Sequence, residues 1–317
     1  MTVAVAALGA GGTLIAARQA VDSVGRVPTV AAVLSPASAT VENFLLVGSD
    51  SRAGADPDAP DAGGIGTEAD VDGTARSDTL MVLRRDTATG ELALLSIPRD
   101  LYVQVVGHDS PRRINSAYRD GPATLVQTVQ TALGIPVQHY VEINFNGFKA
   151  LVDALGGVRI CFLWPARDTH TGLYVAEPGC QVLDGVQALA FARSRFFEEF
   201  HEGEWHRDGS SDLGRMKRQQ LFVNEALSST LSAIKSDPMS TGGLLAAISS
   251  AIGVDDDLDP LAAAASLRGA VDGGLATYSM PVVGKTIDGN DVLLMGDGSD
   301  ELLAYFRGEG PAPATGS

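Results

Sequence analysis

The sequence predicts an α/β fold, and three observations carry that prediction. Short apolar runs bounded by turn residues recur as buried strands at Phe44-Leu45-Leu46-Val47, Thr79-Leu80-Met81-Val82-Leu83 and Leu92-Ala93-Leu94-Leu95-Ser96-Ile97. Segments with helical spacing, at 123–133 and 147–155, then alternate with strands at 140–145 and 158–162, which is the α/β pattern. Finally, 45% of the 317 residues are hydrophobic, enough for a sizeable core and too many for a disordered chain.

Taken in order, residues 3–17 are uncharged and mostly apolar up to Arg18, which reads as a truncated membrane anchor over 1–17 or a short apolar helix. Gly9-Ala10-Gly11-Gly12 fits no nucleotide-binding loop. Residues 18–41 contain Pro28 and Pro36 in a Ser/Ala/Thr-rich stretch without periodicity, read as a linker. One domain is expected over 42–307, followed by a disordered tail at 308–317. The first strand meets a turn at Gly48, and an acidic, Gly/Ala/Pro-rich excursion spans 53–75. A hairpin at Thr89-Gly90 joins the next two strands, and Gly134 and Gly156-Gly157 close the two helices. Two further helices are expected at 185–195 and 212–234, separated by a polar segment. Residues 258–306 offer a helix, two strands and a last helix.

A net charge of −16 argues against a nucleic-acid partner, whose phosphates attract basic surfaces. The five histidines have no metalloprotease spacing, and no Gly-x-Ser-x-Gly elbow occurs. Cys161 and Cys180 fit no zinc motif; they are either a disulfide, which implies an oxidising, extracytoplasmic compartment, or two unrelated thiols.

Against the acidic background, the positions of the arginines matter. Asp50 and Arg52 follow the first strand, Arg76 and Asp78 precede the second, and Arg99 and Asp100 follow the third. Ligand clefts of α/β sheets form at strand ends, so these pairs either line one rim or are ordinary surface ion pairs. Arg193 and Arg195 flank Ser194 at a helix end, and Asp212, Arg215, Arg218 and Gln219 open the next helix. Asp212, Arg215 and Gln219 share a face, and Asp212 is a candidate N-cap. Guanidinium groups gathered in one place match phosphate; the alternative is a solvated helix face. Asp50 and Asp78 are a plausible carboxylate pair for Mg²⁺, or Mn²⁺, which fills its other positions with water and phosphate oxygens.

The ordered motifs resemble the LytR-CpsA-Psr family of extracytoplasmic cell-wall enzymes. They are Leu45-Leu46-Val47-Gly48-Ser49-Asp50-Ser51-Arg52, Arg76-Ser77-Asp78-Thr79, Ser96-Ile97-Pro98-Arg99-Asp100, Ile114-Asn115-Ser116-Ala117-Tyr118 and the stretch from His139 to Phe145. Leu151 to Val158, Leu183 to Leu189, Arg193-Ser194-Arg195 and Asp212 to Gln220 complete the series. The resemblance implies a three-layer α/β/α fold with a central mixed sheet and an apolar tunnel for a polyprenyl tail. It implies a phosphotransferase that moves a glycopolymer phosphate from a polyprenyl diphosphate carrier onto peptidoglycan, at the outer face of the membrane and anchored by an N-terminal helix. It assigns the diphosphate to Arg52, Arg76, Arg99, Arg193, Arg195, Arg215, Arg218 and Gln219, with Arg99, Asp100, Arg193 and Arg195 as the catalytic set. It assigns Mg²⁺ to Asp50 and Asp78. The cysteine pair resembles the actinobacterial branch, in which the wall carries arabinogalactan. A pyrophosphatase and a non-catalytic lipid-diphosphate scaffold are the alternative functions. The excursion at 53–75 and the segment 196–211 depart from the family pattern and are candidate lids.

Overall fold

A computed structural model of the chain describes residues 24–51, 77–236, 250–260, 262–263 and 274–314, without the side chains of residues 227 and 230–236. The expected anchor at 1–17, Arg52, Arg76 and the excursion at 53–75 lie outside the described residues. The contacts divide the chain into two compact units. One carries Asn144–Ile252 and the other carries residues 26–51, 77–143 and 253–314.

The second of these units begins at Arg26, the last residue of a short strand β1 (Gly25–Arg26), and continues with a 3-10 turn (Pro28–Val33). The linker expected over 18–41 is therefore ordered in its described part. Val30 is fully buried, and the Arg26 guanidinium donates to the Asp255 and Leu258 carbonyls at 2.8 and 2.9 Å. The proline and small-residue composition hid this because the segment is held by tertiary contacts rather than by its own periodicity.

β2 (Val41–Ser49), β3 (Ser77–Asp86) and β4 (Leu92–Ile97) follow, then the short pair β5 (Tyr102–Val103) and β6 (Arg112–Arg113). Helix α1 (Pro122–Leu133) starts with proline, whose missing N–H costs nothing there, and stops at Gly134 in the left-handed conformation (φ 70°). β7 (His139–Ile143) closes this stretch.

The other unit holds α2 (Phe145–Ala154), β8 (Val158–Phe162), β9 (Ala166–Asp168), β10 (Leu173–Val175) and β11 (Gly179–Leu183). It continues with α3 (Gly185–Arg193), the hairpin β12 (Glu198–His201) and β13 (Glu204–Arg207), and α4 (Ser211–Ser236). Asn144 and Asp184 cap α2 and α3 by accepting from the backbone N–H groups of Gly147 and Gln187. Gly185 lets the two helices approach: a Cβ there would lie 2.5 Å from the Lys149 carbonyl oxygen. The segment 196–211 is not an irregular loop, since β13 pairs with β12 and β12 with β9 in a four-stranded sheet. β8 and β11 pair antiparallel with Cys161 opposite Cys180, and the two are disulfide-bonded. This unit has its own core, with Ile160, Phe162, Leu173, Phe191, Phe197 and Phe222.

The chain then returns through β14 (Ile252–Val254), β15 (Leu275–Ser279), the hairpin β16 (Val282–Ile287) and β17 (Asn290–Met295), and α5 (Ser299–Arg307). The central mixed sheet has seven strands in the order β1-β14-β7-β2-β3-β4-β15. β7 runs parallel to β2 and β15 parallel to β4, whereas β2, β3 and β4 are antiparallel neighbours. Alternation sends Leu45, Val47, Leu80, Val82, Ala93, Leu95 and Ile97 into a core shared with α1 and α5. The opposite face is also apolar: the register aligns Phe44, Leu83 and Leu94, and Met81 and Leu94 are buried. The tail expected from residue 308 is ordered through 314. Glu309 N–H donates to the Ala304 carbonyl, and the Tyr278 hydroxyl donates to the Pro313 carbonyl.

Candidate functional site

The antiparallel run of β2, β3 and β4 puts the end of β2, the start of β3 and the end of β4 at one edge, because Gly48 lies opposite Thr79 and Leu80 opposite Ile97. Asp50, Asp78, Arg99 and Asp100 therefore occupy the same end of the sheet. The register shifts between Gly48 and Ser49, the kind of irregularity that re-aims a side chain beside a site.

Arg99 Nη1 donates to Asp78 Oδ1 at 2.6 Å, and both side chains are mostly buried. Arg99 Nε stands 3.7 Å from Asp100 Oδ2, and Asp100 Oδ1 stands 3.4 Å from Arg113 Nε. Asp100 thus lies between two guanidinium groups. Beside Asp50, two phenols converge on one carboxylate: Tyr140 and Tyr118 donate to Glu142 Oε2 at 2.8 and 3.2 Å. Burial and then the Glu142 charge push the Tyr118 hydroxyl up to about 12, so it stays a proton donor at neutral pH, and the same causes raise Tyr140. Neither tyrosine, nor Glu142, stood out in the sequence as a member of this edge.

In the other unit the arginines gather about two aspartates. Asp212 lies in the first turn of α4 rather than at its cap, and its Oδ1 is 3.0 Å from Arg215 Nη2 and 3.5 Å from Arg195 Nε. Arg215 is only 3% exposed. Arg193 stacks over the Phe145 ring at 4.5 Å. Arg218 is turned inward, donating to the Ser194 carbonyl at 2.8 Å and to Asp208 at 2.9 Å, with its guanidinium over Phe197. Gln219 Nε2 donates to the Ala192 carbonyl at 3.2 Å. These bonds make Arg218 and Gln219 anchors of the turn after α3.

The second aspartate, Asp168 on β9, was not legible as a site residue. It is fully buried and accepts from the Ser194 hydroxyl at 2.6 Å and from the N–H groups of Arg195 and Phe196 at 3.1 and 2.9 Å. Burial favours its neutral form, but the Ser194 hydroxyl and the backbone N–H groups of Phe196, His170 and Thr171 outweigh this and hold its carboxyl below the ordinary range. Asp168 thereby fixes the Arg193-Ser194-Arg195 turn. No local pattern in Ala166-Arg167-Asp168 announces this, because the partners lie more than 25 residues away.

In the hairpin, ligand atoms of His201, Glu202 and His206 lie within 4.8 Å of one another, and the two imidazoles stack at 3.9 Å. Among the described residues no helix is long and apolar enough to cross a membrane.

The sequence aligns with a probable cell wall biosynthesis protein, LcpB, of Corynebacterium glutamicum at 38% identity over 244 residues, covering 76% of this chain and 54% of the relative. It aligns at 36% identity over 187 residues with the polyisoprenyl-teichoic acid–peptidoglycan teichoic acid transferase TagU of Halalkalibacterium halodurans, covering 58% of this chain and 56% of that one. The chain thus spans just over half the length of these two relatives. The fold matches that of a LytR-Csp2A-Psr enzyme from Actinomyces oris with a TM-score of 0.67 and 25% identity, over 89% of this chain and 95% of the other. The LytR_cpsA_psr family profile matches residues 15–303, and the chain belongs to that family.

Proposed function

We propose that the chain transfers a glycopolymer phosphate from a polyprenyl diphosphate carrier to a hydroxyl of peptidoglycan, outside the cell. The observation that carries this reading is the edge formed by Asp50, Asp78, Arg99 and Asp100, with its 2.6 Å Arg99–Asp78 pair, in a chain of this family. The named activity of TagU, a polyisoprenyl-linked donor and a peptidoglycan acceptor, supports the substrate class. The Corynebacterium relative, a probable cell wall biosynthesis protein, supports a role at the wall, and the exposed Cys161–Cys180 disulfide supports an oxidising compartment. That the wall carries arabinogalactan is the finer part of the same proposal. The membrane anchor at 1–17 belongs to the same proposal.

In this reaction the acceptor oxygen attacks the phosphorus bearing the glycan. The bridging P–O bond breaks, its electron pair leaves with the polyprenyl monophosphate, and the hydroxyl proton passes to solvent or a base. Little covalent work falls to the protein, so catalysis is positioning and charge stabilisation. Arg99 is the arginine of this edge assigned to phosphate, and Arg193, Arg195 and Arg215 carry the same assignment within their own unit. Arg99 exchanges its carboxylate partner for a phosphate oxygen, and Asp100 keeps its Nε side oriented. Asp168, Arg218 and Gln219 hold the Arg193–Arg195 turn. The apolar second face of the sheet, with Phe44, Met81 and Leu94, is the wall assigned to the prenyl tail.

Asp50 and Asp78 suit a magnesium ion. They stand at adjacent strand ends, and two carboxylates suffice for an ion that takes its other ligands from water and phosphate. When bound, the ion neutralises charge on the diphosphate oxygens. The test is incubation of the chain with a polyprenyl diphosphate glycan, a peptidoglycan fragment and Mg²⁺. Formation of a glycan–wall phosphodiester together with polyprenyl monophosphate supports the proposal. Release of free glycan phosphate alone identifies a pyrophosphatase instead.

A further inference from the structure

Beyond the Arg99–Asp78 edge, a cavity of about 400 Å³ opens between the segment 99–119 and the β16–β17 hairpin, all within one unit. That volume lies in the range of ligand pockets, about 300–1,000 Å³. Four guanidinium groups, those of Arg99, Arg112, Arg113 and Arg119, line it against two carboxylates, Asp100 and Asp288. In a chain of net charge −16 such a concentration of positive charge is a local exception.

The cavity is built rather than incidental. The Leu293 N–H donates to the Asp100 carbonyl at 3.0 Å, and Arg113 Nη2 donates to the Asp291 carbonyl at 2.8 Å, which fastens the hairpin to the segment that carries the arginines. Asp288 and Gly289 both take positive φ, 49° and 76°, as the tight hairpin turn demands. The Nε–H group of Arg112 is buried and donates to no acceptor, whereas that of Arg113 faces Asp100 Oδ1 at 3.4 Å. A buried donor left unsatisfied costs about 1–3 kcal/mol, and an acidic oxygen arriving in the cavity would relieve that cost. Guanidinium forks match carboxylate and phosphate alike. Asn115, Ser116 and Asn290 add hydrogen-bonding groups of the kind that read sugar hydroxyls.

We propose that this cavity is an anionic-saccharide subsite adjoining Arg99, which takes a carboxylate- or phosphate-bearing sugar unit of one of the two substrates. The inference rests on the transfer reading for its biological meaning and on the cavity alone for its binding chemistry. Asp100 joins the subsite to the diphosphate edge through its two arginines, so that an occupied cavity and a correctly oriented Arg99 support each other.

The test uses the full chain and equilibrium titration, which does not depend on turnover. A muropeptide with free carboxylates, its neutral amide counterpart and an N-acetylglucosamine oligomer are titrated by calorimetry into the unaltered protein and into the Arg112→Gln/Arg119→Gln variant. The acidic saccharide, or a phosphate-bearing glycan fragment in a parallel titration, is expected to bind at least tenfold more tightly than the neutral ones, and the variant to lose that preference. Equal binding of acidic and neutral saccharides to the unaltered protein overturns the proposal even if the variant misfolds. An unchanged preference in a folded variant overturns it as well. Where transfer is observed, a raised KM for the wall acceptor identifies the acceptor as the source of the sugar, and a raised KM for the lipid-linked glycan identifies the donor. If anion preference is found and transfer is not, the subsite stands and the transfer reading falls.

Discussion

The Asp168 carboxylate accepts a hydrogen bond from the Ser194 hydroxyl at 2.6 Å, and both residues are fully buried. Through this bond and two backbone N–H groups, β9 sets the conformation of the turn that carries Arg193 and Arg195. Asp168→Ala leaves those donors unsatisfied and is expected to cost about 2–3 kcal/mol of stability, measured by urea denaturation. Transfer should fall more than donor binding, because the arginines keep their charge and lose their placement. Wild-type activity in a folded Asp168→Ala protein contradicts the positioning role.

Charge and shape separate at Arg99. Arg99→Ala is expected to weaken polyprenyl diphosphate binding at least tenfold, since charged hydrogen bonds contribute about 1.5–3 kcal/mol. Arg99→Lys retains the charge without the fork and is expected to recover binding only in part. Calorimetry with the two variants checks this, and full recovery with lysine removes the bidentate argument.

Stability should pass through a maximum in mildly acidic solution. Burial opposes ionisation of Asp168, Asp208 and Asp255, but hydrogen bonds from Ser194, Ser210 and His139 and from backbone N–H groups outweigh it and lower all three. A depressed carboxylate contributes stability above its unfolded value of about 3.9 and loses it as the pH falls through the folded value. Burial also works against the charged form of His139, but Asp255 and Glu42 raise it. A raised histidine contributes fully below about 6.5 and loses its contribution as the pH rises through the folded value. Urea midpoints at pH 3, 5 and 8 should therefore peak at pH 5. In His139→Gln the decline between pH 5 and 8 should shrink, and an unchanged decline excludes this histidine as its source.

Reduction of the Cys161–Cys180 bond is expected to destabilise the β8–β11 ribbon by about 3 kcal/mol for a closure of this length. Denaturation with and without dithiothreitol measures it. An unchanged midpoint, with loss of the bond verified by thiol titration, contradicts a stabilising role.

Gly185→Ala is expected to lose about 1–3 kcal/mol, the usual cost of overpacking, because its Cβ would meet the Lys149 backbone. A melting temperature equal to that of the parent protein would show that α2 and α3 can separate without penalty.

Strands with a buried apolar face were the most legible part of the fold, β4 on both faces and β8 on one. β4 and β8 occupy the residues their apolar runs predicted, 92–97 and 158–162, and Gly134 ends α1 as its place after the helical pattern indicated. The hairpin β12–β13 was read as a polar segment because its half-exposed strands, Glu198-Glu199-Phe200-His201 and Glu204-Trp205-His206-Arg207, lack an apolar stripe. They are held instead by pairs such as Arg167 over the Trp205 ring at 4.1 Å and Arg167–Glu198 at 2.6 Å. The division into two units left no composition signal, since the chain passes between them at Ile143 and Asn144, where a strand gives way directly to a capped helix. The arginines were conspicuous by type, but their partners within the fold were not: Arg215 and Arg218 lie three residues apart on one helix, yet Arg215 pairs with Asp212 and Arg218 serves the Ser194 carbonyl.

Transfer is read directly from both products when a polyprenyl diphosphate glycan is incubated with the chain, a peptidoglycan fragment and Mg²⁺. Polyprenyl monophosphate and glycan–peptidoglycan phosphodiester are expected in equimolar amounts, with both lost in Arg99→Ala. An intact donor, or equal product from the parent protein and Arg99→Ala, would contradict the proposal.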